Sequence, residues 1–129
     1  MTRNRLLGML IAALAFAAGP ALAHHSFAMF DRSKPTPLTG TVKEFQWTNP
    51  HVWIQILADD GHGGEEEWGV ECTSINFMDR MGWSHATLKP GDKVTVTIYP
   101  LKDGSRGGQF GGLTRLNGDA ANLPGYGLK

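Results

Sequence analysis

Cysteine is nearly absent from this 129-residue chain: Cys72 stands alone. No disulfide can form within one chain, and no cluster of thiolates can hold a metal. A single thiol of this kind is expected to pack as a small buried hydrophobe. A transmembrane run is lacking as well. The apolar stretch from Leu6 to Ala18 falls short of the ~20 residues that cross a bilayer, and no second hydrophobic run follows it. Charge of one sign is missing too, with 12 basic and 12 acidic side chains. Without a basic stripe, binding to nucleic acid has no electrostatic driving force. Nor is there a basic amphipathic helix to lie on a membrane. The chain contains neither G-x-S-x-G nor H-E-x-x-H, and Gly104 to Gly112 lacks the Lys-Ser/Thr of a phosphate loop. No enzymatic activity is expected.

What is present begins at the N-terminus. Arg3 and Arg5 precede the apolar run, Gly19-Pro20 breaks it, and Ala21-Leu22-Ala23 is a small-x-small cleavage signal. Residues 1–23 therefore read as a secretory signal peptide. The expected product is a soluble periplasmic or secreted chain with no membrane span, starting at His24-His25-Ser26. Losing Arg3 and Arg5 leaves it slightly acidic. Its length suits one domain with a modest core.

Residues 24–37 read as an irregular arm. Phe27, Met29 and Phe30 can pin it to the domain, and Pro35 and Pro37 disfavour helix. Residues 38–118 carry the strand signals. Val42 lies on one parity and Phe45 and Trp47 on the other, so a bulge is expected near Lys43-Glu44. Thr48-Asn49-Pro50 is a turn. Val52, Ile54 and Ile56 alternate with His51, Trp53 and Gln55, the period of a strand with one buried face. Trp68, Val70 and Cys72 form the apolar parity of a third strand, with Glu67, Gly69 and Glu71 on its other face. Ile75, Met78 and Met81 recur at helical spacing over residues 73–81, with Thr73 or Ser74 as cap and Gly82 as stop. Val94, Val96 and Ile98 mark a fourth strand and Phe110 to Leu116 a fifth. Residues 119–129 are expected to form a flexible tail. Three strands, a short helix and two strands is the order of a mainly β, OB-like, five-stranded Greek-key barrel.

His-His-Ser after the cleavage signal, Phe30-Asp31, Gly40, Asn49-Pro50-His51, Trp68, Pro90-Gly91-Asp92 and Asp103-Gly104 together resemble a family of small secreted bacterial proteins, domain of unknown function 6152. The resemblance spans nearly the whole processed chain. It implies export and a small β domain, and brings no catalytic residue with it.

The sharpest chemical constellation is His24, His25 and His51. An N-terminal histidine can chelate a metal through its α-amine and Nδ1 in a six-membered ring, and an α-amine has a pKa of about 8. A third imidazole completes an all-nitrogen set that favours copper(II). The arrangement resembles the histidine brace of exported copper proteins. His51 is the expected third ligand because it heads a strand after the Asn-Pro turn. A second constellation is the strand face of Trp53 and Gln55, with His85 as an outlying member. OB barrels bind oligosaccharides on such a face. Two functions follow: an exported barrel that binds copper through its first histidine, or a metal-free envelope binding module that holds a protein partner or glycan.

Overall fold

Strand alternation builds the barrel wall. In the computed structural model, which describes residues 27–117 and 122–123, the side chains of Val52, Ile54 and Ile56 are fully buried on one face of β2 (Trp53–Asp59) and its lead-in residue. Val70 and Cys72 do the same on β3 (Glu65–Glu71) and just beyond it. Val94, Val96 and Ile98 do so on β4 (Lys93–Pro100). β1 (Thr36–Gln46) pairs antiparallel with both β2 and β4, and its register slips between Val42 and Glu44, where the phase change predicts a bulge.

β5 (Gly107–Arg115) pairs antiparallel with β4 and parallel with β3. The circuit β3-β2-β1-β4-β5 thus closes on itself through the β3–β5 seam. This is the five-stranded, OB-like barrel expected, with one short helix, α1 (Ile75–Arg80), between β3 and β4. The core gathers the aliphatic side chains around Met78, Trp83 and Phe110. The last two rings meet edge to face, 5.3 Å between centroids, a favoured aromatic geometry.

Three boundaries differ from expectation. β1 starts at Thr36, two residues early. Pro37 sits there opposite Thr97 of β4, before β2 joins β1 at Gly40, so the missing N–H of Pro37 falls where β1 has a single neighbour. β5 starts at Gly107, three residues before the expected Phe110. A Cβ on Gly108 would come within 2.8 Å of the Tyr99 carbonyl oxygen, and one on Gly107 within 2.9 Å of Leu101 Cδ1. At Gly108 glycine is required by close backbone approach, a role that composition cannot separate from a loop. Within the tail, Asn122–Leu123 forms a short strand, β6, on Leu113 and Thr114 of β5.

The helix is capped differently as well. Ser74 occupies the cap position without a side-chain bond. Instead, Asn49 Oδ1 accepts from the Ile75 backbone N–H at 3.1 Å. The turn before His51 is thereby tied to the start of α1. Gly82 ends the helix at φ 88°, as predicted. Among the described residues no helix is long and apolar enough to cross a membrane.

Candidate functional site

His51 is held at the mouth of the β2–β3 ladder. Val52 N–H donates to the Thr73 carbonyl (2.9 Å) and Cys72 N–H to the Val52 carbonyl (2.8 Å). These bonds bring His51 Nδ1 to 3.1 Å from the Cys72 carbonyl oxygen and 3.3 Å from Glu71 Oε1. A carbonyl oxygen only accepts, so Nδ1 carries the proton of the bond. In the neutral ring the lone pair then resides on Nε2. A metal-binding histidine is oriented in the same way, one nitrogen donating to a carbonyl or carboxylate and the other ligating.

Glu71 belongs to the outward parity of β3, between the buried Val70 and Cys72, and ought to face solvent. It is only 8% exposed. Across the seam its register partner is Gln109 of β5, only 2% exposed. The N-terminal arm accounts for both. Residues Phe27–Met29 form a 3-10 turn, and Phe30 then bridges to Leu101. Asp31 N–H donates to the Pro100 carbonyl (2.8 Å) and Lys102 N–H to the Met29 carbonyl (3.0 Å). Arg32 lies over the rings of Tyr99 and Phe27, 5.2 and 5.9 Å from their centroids. The arm therefore runs along the end of β4 and over the outer wall. Under it lies a pocket of about 70 Å³, lined by Phe27, Phe30, His51, Glu71, Cys72 and Gln109. Gln109 Oε1 is buried there without a hydrogen-bond partner among the described residues. Such a group is uncommon in folded proteins and costs stability.

Cys72 borders the pocket but is 1% exposed, as the sequence predicts. Burial, reinforced by the charge of Glu71, pushes its thiol pKa far up. The thiol stays protonated and is a poor nucleophile.

The other sequence candidates are dispersed. Trp53 and Gln55 are half-buried neighbours on β2 and flank Gly69 of β3. A Cβ on Gly69 would sit 3.4 Å from Gln55 Oε1 and 3.8 Å from Trp53 Cζ3, so the two side chains lean over a flat glycine. His85 is exposed in the loop between α1 and β4, and His62 in the β2–β3 hairpin, where its N–H donates to Asp60 Oδ1 at 2.7 Å. His24 and His25 lie outside the described residues. Among the described residues no three His, Cys, Asp or Glu side chains form a metal-holding group.

Sequence reasoning missed Glu71 and Gln109 as site residues. Glu71 carried a signal, a lone carboxylate between two core positions of one strand. Gln109 carried none, because its place depends on the seam, which joins residues 38 positions apart in sequence.

The chain matches a family of unknown function (DUF6152) over residues 12–110 and belongs to that family. No curated protein and no solved structure matches it.

Proposed function

We propose that this member of the family is an exported small β-barrel protein that binds a transition metal, copper(II) foremost, through the start of its processed chain. The charged, apolar and small-residue order of residues 1–23 supports cleavage before His24. The observation that carries the metal reading is the contact of His51 Nδ1 with the Cys72 carbonyl oxygen at 3.1 Å, which in a neutral ring assigns the proton to Nδ1 and the lone pair to Nε2. Phe27, which lines the pocket beside His51, is only three residues from His24. Three extended residues span at most about 11 Å, so the first histidine is within reach of the ring. In this reading His24 supplies its α-amine and Nδ1, and His51 supplies Nε2. His25 is a reserve ligand. Copper(II) is favoured because all-nitrogen donor sets suit its tetragonal geometry and it heads the divalent affinity order. The role is binding or delivery.

Mass spectrometry of the exported protein should find His24 first. Isothermal titration of copper(II) into that protein should then give one tight site, lost when a single Gln is added ahead of His24. Unchanged binding by the extended chain would remove the amine from the mechanism.

One further observation favours a second reading. The tryptophan and glutamine leaning over Gly69 make an aromatic strip with a polar edge, suited to stacking on a glycan. Quenching of tryptophan fluorescence by oligosaccharides, abolished in Trp53→Ala and indifferent to copper, would select the metal-free binding module.

A further inference from the structure

We propose that Glu71 and Gln109 form a docking site for the α-amino group of the processed chain, with or without a metal. The proposal rests on the preceding reading only for the chain's start at His24. Its basis is the mismatch in the pocket under the arm. A carboxylate and an amide oxygen, both on outward strand positions, are buried there side by side, and the Gln109 oxygen has no donor among the described residues. Glu71 Oε1 has His51 Nδ1 at 3.3 Å, so the unmet acceptor is Gln109 Oε1, and with a carboxylate beside it the pair suits a cationic N–H group. An α-ammonium offers three donors and a positive charge, and a charge-assisted bond to a buried acceptor is stronger than a neutral one.

Size and reach select the occupant. About 70 Å³ is far below the ~300–1,000 Å³ of ordinary small-molecule sites. It admits an amine and its α-carbon, not a sugar ring or a cofactor. Phe27 forms part of the pocket wall, and the chain has only Ser26, His25 and His24 left before the proposed end. The arm itself is fixed at Met29, Phe30 and Asp31 by backbone bonds to Lys102, Leu101 and Pro100, so the remaining residues start from an anchored point. When copper(II) binds, the amine gives up one proton and keeps two N–H groups. The same two acceptors then hold those hydrogens and aim the nitrogen lone pair. Gln109 is in this sense a positioning residue.

The test uses metal-free processed protein. The α-amine is reductively methylated at pH 7, and modification of the N-terminal peptide is followed by mass spectrometry. The expected rate is at least tenfold below that of the same chain in urea. Gln109→Met should lose most of this protection while the barrel stays folded, because Met keeps the volume of a side chain that is no part of the barrel core. Gln109→Glu, which keeps an acceptor oxygen, should retain it. Glu71→Gln gives an independent reading should Gln109→Met fail to fold, and is expected to weaken protection as well. A wild-type amine that reacts at the urea rate, or protection indifferent to both positions, overturns the proposal. So does an unprotected amine in a protein whose Gln109 amide resonances shift on adding methylammonium, which would assign the pocket to a small external amine. Protection without copper binding sinks the metal reading alone. Copper binding with an unprotected amine sinks this proposal alone.

Discussion

His51 takes its orientation from the main chain of Cys72, not from its side chain: the Nδ1 atom lies 3.1 Å from the Cys72 carbonyl oxygen. Substituting Cys72 should therefore leave the imidazole tautomer intact, whereas changing the adjacent carboxylate should not be silent. Under the proposed metal reading, Cys72→Ala is expected by titration to leave copper(II) binding nearly unchanged. Glu71→Gln should lower it about 10–100-fold, the usual effect of losing a group that orients a ligand. His51→Ala should lower it at least as much.

The thiol offers a separate check on burial. Cys72 is nearly inaccessible and its pKa is raised by desolvation. Iodoacetamide at pH 8 should leave the native protein unmodified for hours and label it promptly in guanidinium chloride. Rapid labelling of the native state would mean that the β2–β3 end of the barrel opens readily.

Two substitutions probe the barrel from opposite directions. A Cβ at Gly40 would collide with the Leu57 backbone carbonyl across the β1–β2 ladder, and backbone cannot rotate away as a side chain can. Gly40→Ala should cost about 1–3 kcal/mol by overpacking. Trp83, 1% exposed and edge-on to Phe110, leaves a large void when truncated. Trp83→Ala should cost about 3–5 kcal/mol. Urea denaturation of each variant measures both.

Acid should loosen the fold through its paired carboxylates. Asp103 and Asp31 are held below their ordinary 3.8 by bonds from Ser105 and Ser33, Asp60 by the His62 and Gly64 N–H groups, and Glu66 below its ordinary 4.5 by Trp68 and Arg106. Each folded pKa lies below the unfolded one, so the unfolded chain binds more protons in the interval between them. The stabilisation is fully present above the unfolded values and disappears as pH falls through the folded ones. Melting temperature followed by circular dichroism should be level above about pH 5 and decline below 4. Asp60→Asn should make the decline shallower.

The barrel was legible in the sequence because alternation survives wherever a strand has one buried face, as in Val52-Ile54-Ile56 and Val94-Val96-Ile98. The phase slip at Lys43-Glu44 was legible for the same reason and appears as the β1 bulge. The turn before His51 was visible, but its bond from Asn49 to the helix start was not, because it links side chain to backbone over 26 positions. Gln109 stayed hidden behind two glycines that resemble a loop and serve as a close-packed seam. Local pattern reveals which face a strand buries. It does not reveal which outward residues a second layer, here the arm from Phe27 to Arg32, will cover.

β3 and β6 lie along the same side of β5, one at Gly107 to Gln109 and the other at Leu113 and Thr114. Closure of the barrel alone would leave the later stretch of that strand with unspent donors and acceptors, a template on which another molecule could add a strand. The two-residue strand near the chain's end takes that position. Shortening the protein past Asn117 would bare this border and invite self-association, leaving the pocket on the far stretch of β5 untouched.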